Sequence, residues 1–172
     1  MSFACKMPNS AATDGDLKCI LGNAKTVAIV GISPKEDRPS YEVAKYLLEQ
    51  GFTIFAVNPK CDEILGQKCY PDLKSIPVHV DVVDIFRKPD DIPAVAEQAV
   101  EIGAETIWMQ LGIENEEAAQ KARRAGLNVV MNRCMKMDHS RHFGKEENSA
   151  ASMKDKDKSA EDRESRGADS QD

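Results

Sequence analysis

The residues Val27-Ala28-Ile29-Val30 form an unbroken apolar run that stops at Gly31. A β-branched run without polar alternation is the mark of a strand covered on both faces, as in parallel sheets packed between helices. Gly31 permits a tight turn and a close backbone approach. A short polar loop follows, and Pro39 suits the first turn of the next helix, where its missing N–H is no loss. A helix N-terminus facing the carboxyl end of a strand is an anion site, because its free N–H groups and its dipole both favour negative charge. The chain is expected to be arranged around that site.

The remaining elements are read by periodicity and punctuation. Asp14, followed by Leu17, Ile20 and Leu21 at helical spacing, predicts a short helix capped by Asp14 and ended by Gly22 and Asn23. The strand 26–30 leads to a helix over 39–50, with Val43, Ala44, Leu47 and Leu48 on one face and Gly51 closing it. A second strand over 52–57 stops at Asn58-Pro59. Residues 61–77, broken by Gly66, Pro71 and Pro77, are expected to be loop with a short helix near 72–76. A third strand over 80–86 carries Asp81 and Asp84 and is expected to be less fully buried than the first two. Pro89-Asp90-Asp91 opens a helix that ends at Gly103; 105–110 is a fourth strand, 114–125 an alanine-rich helix and 127–131 a fifth strand. Strands alternating with helices at this pace predict an α/β fold: a Rossmann-like open, mostly parallel five-stranded sheet with helices on both faces.

At 172 residues the chain is one domain with extensions. The boundaries are read as a flexible N-terminus over 1–13, a domain over 14–143 and a disordered charged tail over 144–172. The tail contains no Val, Ile, Leu or aromatic residue, so it buries too little to offset its ordering entropy. A net charge of −6 argues against a general nucleic-acid partner. Five cysteines with no C-x-x-C pair suit a reducing compartment better than a disulfide framework. No apolar stretch approaches the roughly 18–20 residues that span a bilayer, and residues 1–14 resemble neither a secretory signal nor a transit peptide. A cytoplasmic protein with no membrane partner is expected.

In sheets of this kind ligands bind at the carboxyl ends of the strands, where strand order reverses. The polar residues falling there are Ser33, Lys35, Arg38 and Ser40, then Asn58 and Lys60, then Arg87 and Lys88, then Gln110 and Gly112, then Asn132, Arg133 and Cys134. Several cations on one rim of a net-acidic chain suit an anionic ligand. The dinucleotide fingerprint G-x-G-x-x-G is missing, since only its first glycine is present, at Gly31. NAD would want an acid after the second strand, and Asn58-Pro59-Lys60 stands there instead, which suits a phosphorylated ribose. NADP, or a phosphorylated adenosine such as coenzyme A, remains.

Gly31-Ile32-Ser33-Pro34 with Arg38-Pro39-Ser40, Val57-Asn58-Pro59-Lys60, Asp84-Ile85-Phe86-Arg87-Lys88-Pro89, Ile107 to Gly112 and Asn132-Arg133-Cys134 occur in this order in one family. Over roughly 16–143 the chain resembles the small stand-alone CoA-binding proteins of the YccU type, which share their domain with the N-terminal half of the succinyl-CoA synthetase α subunit. The resemblance implies that Gly31, Ile32, Ser33, Pro34 and Arg38 lie along the pantetheine and diphosphate of coenzyme A, free or acylated. It further implies that Lys60 meets the phosphorylated adenosine, with Phe86, Arg87, Lys88 and Trp108 to Gln110 flanking the ligand. On the residues alone Phe86 reads as core, and Trp108 as either core or ligand contact.

Little points to chemistry. The synthetase works through a phosphorylated histidine in a second domain, which this chain is too short to supply. His79, His139 and His142 follow no rim strand, and Cys134-x4-His139-x2-His142 lacks a fourth metal ligand. Cys134 is either a small apolar filler or a thiol able to form a reversible disulfide with a thiol ligand. The reading is a non-catalytic module that binds coenzyme A or an acyl-CoA. Its alternatives are a minimal NADP-dependent oxidoreductase, which would need an acid such as Tyr or Lys beside the nicotinamide whereas Tyr41 and Tyr46 fall on the helix after the first loop and at no evident site, and an interaction protein whose tail recruits a partner while the pocket is vestigial. The composition of 144–172 predicts that its amides exchange with solvent at unprotected rates; a protected block in hydrogen exchange would contradict it.

Overall fold

The computed structural model describes residues 12–144; the expected flexible N-terminus and charged tail lie outside these residues except at their inner ends. The chain divides into two units, Met1–His139 and Ser140–Asp172. The sheet and its layers belong to the first unit.

Among the described residues one sheet holds seven strands: β1 (Thr26–Val30), β2 (Thr53–Val57), β3 (Glu63–Ile64), β4 (Gln67–Tyr70), β5 (Val82–Ile85), β6 (Thr106–Met109) and β7 (Asn128–Val130). Their order is β3-β4-β2-β1-β5-β6-β7, parallel throughout except where β3 runs antiparallel to β4. The five expected strands are all present. The two added ones replace part of the expected loop over 61–77. They form a hairpin whose turn, Leu65 at φ 54° and Gly66 at φ 74°, has both central residues left-handed, the geometry of a tight two-residue turn. A leucine in that conformation and a strand of two residues leave no periodic signal to read.

The helices are α1 (Asp14–Asn23), α2 (Pro39–Glu49), α3 (Ile92–Glu101), α4 (Glu116–Arg124) and α5 (Met135–Phe143). Successive residues of β1 explain the layering. Val27 and Ile29 pack with Leu17 and Ile20 of α1, Val43 and Leu47 of α2 and Met135 of α5. Ala28 and Val30 pack with Ile92, Val95 and Ala99 of α3 and Ala118 and Ala122 of α4. Both faces are therefore dry, as the unalternating run requires. Thr13, not Asp14, caps α1: its hydroxyl accepts the Asp16 N–H at 3.2 Å while the Asp16 carboxylate accepts the Thr13 N–H at 2.9 Å. Asn115 caps α4 by accepting the Ala118 N–H at 3.0 Å. No described helix is long and apolar enough to cross a membrane. Cys61, Cys69 and Cys134 are free.

The expected partial exposure of the third strand is corrected. Every residue of β5 is buried. Asp81 precedes the strand and accepts the N–H groups of Lys25 at 2.7 Å and Thr26 at 3.1 Å, tying the start of β1 to that of β5. Asp84 lies inside, level with Ile29 of β1 and Trp108 of β6. Among the described residues neither of its carboxyl oxygens has a hydrogen-bond partner. Burial alone pushes its pKa well above the ordinary carboxylate value.

That shift sets a direction for stability. In the unfolded chain Asp84 loses its proton near pH 4, while in the folded chain it keeps it. The folded state then binds more protons, so stability falls as pH rises above about 4, by up to ~1.4 kcal/mol per pH unit until the buried group itself ionises. Asp84→Asn is expected to flatten this slope and to raise stability at pH 8 relative to pH 5. Urea denaturation of both proteins at the two pH values checks it; parallel pH slopes would contradict a protonated Asp84.

Candidate functional site

Strand order turns back at β1: the chain passes from β1 to β2 on one side, and β5 pairs with β1 on the other. The crevice at the carboxyl ends of β1 and β5 is built on Gly31, at φ +84°. Its N–H donates to the Val57 carbonyl at 3.0 Å, and the Phe86 N–H donates to the Val30 carbonyl at 2.8 Å. A Cβ on Gly31 would collide with the Phe86 carbonyl oxygen and press on Cδ of Arg87. The conformation and the contact both require glycine.

Beyond Gly31 the loop is fastened at two points. The Ile32 carbonyl accepts Nδ2 of Asn58 at 2.8 Å, and Oδ1 of Asn58 accepts the Lys60 N–H at 2.8 Å. One asparagine thus joins the loop after β1 to the turn after β2 and holds Lys60 beside it. The Ser33 N–H donates to Oγ of Ser40 at 3.0 Å, folding the loop onto the first turn of α2, and Oγ of Ser33 accepts the Lys35 N–H at 3.2 Å. Arg38 occupies the N-cap position of α2 with its side chain making no capping bond.

Two clefts flank this junction. One, of about 340 Å³, is lined by Gly31, Ser33, Lys35, Arg38, Pro39, Ser40 and Phe86. The other, of about 350 Å³, lies beside α3 and includes Val30, Val57, Pro59, Asp72, Arg87 and Gln98. Among the described residues Lys35, Arg38, Lys60, Arg87 and Lys88 make no ion pair. Lys35 and Arg38 line the first cleft and attract an anion there, while Arg87 shares the second with Asp72, Asp90 and Asp91.

The other expected site residues are distributed unevenly. Pro34 lies in the fastened loop, and Lys88 is exposed at the start of the short turn before α3. Trp108 is fully buried and its Nε1–H donates to the Arg133 carbonyl at 2.9 Å. Gln110 is buried too, and its Oε1 accepts the Met135 N–H at 3.0 Å, closing the start of α5. These two side chains are interior ties and line neither cleft. The Gly112 N–H donates to Oδ1 of Asn132 at 2.6 Å, which joins the loops after β6 and β7. Arg133 grips Asp138 through two bonds of 2.8 Å, and hydrogen bonding to that carboxylate raises its pKa. Cys134 is half-buried against the core. His139 is buried with Nδ1 at 2.9 Å from the Tyr46 hydroxyl, and burial lowers its pKa. Among the described residues no group of three or more His, Cys, Asp or Glu side chains could hold a metal ion.

Sequence reasoning missed the second cleft, because Asp72 and Gln98 come from a connection and a helix distant in the chain. It also missed the role of α5, although a Gln at the end of β6 and an apolar Met after Cys134 were in plain view.

A family model described as a CoA binding domain matches residues 25–140. The chain belongs to this family. The CoA-binding domain chain is 40% identical over 125 residues to the uncharacterized protein YneT of Bacillus subtilis (strain 168), covering 73% of this chain and 93% of that one. It is similar to a solved hypothetical protein from Pyrococcus horikoshii OT3, with 45% identity, a TM-score of 0.77 and coverage of 81% of this chain and 98% of that one. It is also 34% identical over 125 residues to acetate–CoA ligase (ADP-forming) I of Archaeoglobus fulgidus; the match takes in 66% of this chain but only 18% of the ligase. The expected resemblance and α/β fold therefore stand for this CoA-binding domain chain.

Gly31→Ala is expected to destabilise the domain by about 1–2 kcal/mol or more, since it adds a collision to an unfavourable φ. Gly51→Ala is the control, with φ +93° and nothing within 4 Å of the added Cβ. Equal losses for the two in chemical denaturation would contradict the close approach at Gly31.

Proposed function

We propose that this protein binds coenzyme A, free or acylated, as a non-catalytic module in the cytoplasm. The observation that carries the reading is the set of unpaired cations around the Gly31 junction, in a domain whose family is named for CoA binding. In this reading the diphosphate lies against the start of α2, where backbone N–H groups, the helix dipole and the Arg38 guanidinium all favour negative charge. Lys60 takes the 3′-phosphate of the adenosine, and Arg87 stands between the two clefts. Ser33 and Ser40 shape the loop, and Phe86 walls the first cleft. Trp108 and Gln110 act only by holding the strands and α5 behind it.

Acetate–CoA ligase (ADP-forming) I of Archaeoglobus fulgidus matches this chain over 18% of its own length. A small-molecule ligand is the partner of this reading, and nucleic acid and membrane are not. NADP shares the phosphorylated adenosine end, so the two ligands are separated by experiment.

Thermal unfolding with coenzyme A, acetyl-CoA, NADP and NADPH in parallel is expected to show stabilisation by the first two alone. Lys60→Glu is expected to weaken coenzyme A by about 1.5–3 kcal/mol, roughly ten- to a hundredfold in Kd, by removing a charge-assisted contact. Calorimetry reads it; an unchanged Kd would remove Lys60 from the site, and stabilisation by NADPH alone would replace the ligand.

A further inference from the structure

Two cysteines stand at the edge of the sheet beside the turn that carries Lys60. Cys61 follows that lysine directly, and Cys69 lies in β4. The Cys69 N–H donates to the Asp62 carbonyl at 2.9 Å, one step before the Glu63–Lys68 pair of the hairpin. Asp62 is thus opposite Cys69 and Cys61 is the next residue out. The Cys61 N–H donates to the Asn58 carbonyl at 3.4 Å, closing the turn that leads into the hairpin. Both side chains pack on the same apolar cluster, with Cys69 buried in it and Cys61 half-buried against it. Both are free thiols. Burial pushes the Cys69 thiol pKa up first, and the neighbouring Cys61, Asp62 and Glu63 push in the same direction.

We propose that Cys61 and Cys69 are a dithiol pair that a low-molecular-weight disulfide, such as glutathione disulfide, converts into an intrachain disulfide. Cys61 is the more accessible and reacts first. Its thiolate attacks one sulfur of the small disulfide, forming a mixed disulfide and expelling a small thiolate, which takes up the proton Cys61 released. Cys69 then gives up its proton and attacks the Cys61 sulfur, expelling the second small thiolate, which is protonated in turn. Two protein thiols are oxidised to one disulfide, and one small disulfide is reduced to two thiols. The second step is the slower one, because burial and acidic neighbours keep Cys69 in its unreactive thiol form. The product ties the Asn58–Cys61 turn, and Lys60 with it, to β4. Its formation does not depend on what the adjacent clefts bind.

The test uses the full chain equilibrated in glutathione buffers of increasing oxidised fraction, alkylated and mapped by non-reducing peptide mass spectrometry. The expected result is a Cys61–Cys69 linked peptide that dominates at the oxidising end and disappears with dithiothreitol. Cys69→Ser is expected to accumulate a glutathione adduct on Cys61 that the unsubstituted protein does not retain. Alkylation of both thiols at the oxidising end, a persistent Cys61 adduct in the unsubstituted chain, or linkage of either residue to another cysteine would each overturn the proposal.

Discussion

The contact between Gly31 and the Phe86 carbonyl is the constraint on which the rest of the arrangement depends. The loop after β1 leads to α2 on one face of the sheet and the segment after β5 to α3 on the other, and between them one backbone passes directly against the other. A side chain at this position would wedge β1 from β5 and shift the loop leading to α2. The reversal of strand order, the start of α2 and the two clefts are all measured from this junction. Glycine here serves position as much as flexibility.

Electrostatics then decides what the junction can attract. The chain carries a net charge of −6, yet Lys35, Arg38, Lys60, Arg87 and Lys88, which follow the ends of β1, β2 and β5, make no ion pair among the described residues. Elsewhere Lys74 pairs with Glu101, Lys121 with Glu97, Arg123 with Glu116 and Arg133 with Asp138. These pairs are mostly exposed and add little stability each. The side chain of Asn58 contributes no charge and does the coupling, since a single amide fastens two loops that approach from different strands.

Asp84 is the opposite case, an acid with nothing to answer it. It sits in the middle of β5 among apolar side chains, where a carboxylate is far more costly than a neutral carboxyl group. The strand tolerates it by keeping it protonated, at a cost in stability that grows with pH. An apolar residue would pack there with no such penalty, so the local rule of consistency is broken one step below the crevice.

Much was legible in the chain itself. Unalternating apolar runs, Gly and Pro punctuation and the order of helices and strands determined the α/β class and the five main strands, because burial on both faces leaves a signature in every residue of a strand. The same logic located Gly31, Ser33, Arg38, Asn58, Lys60 and Arg87 at strand ends, since a residue's place along a strand follows from counting. Only the tertiary structure decided which of them share a cleft, because neighbours at the rim come from segments far apart in sequence. It also decided that Trp108 and Gln110 turn inward, that Asp84 is sealed in, and that the segment after β2 doubles back as a hairpin. Those outcomes depend on which face a side chain takes and what meets it there, and a linear pattern carries no record of the partner.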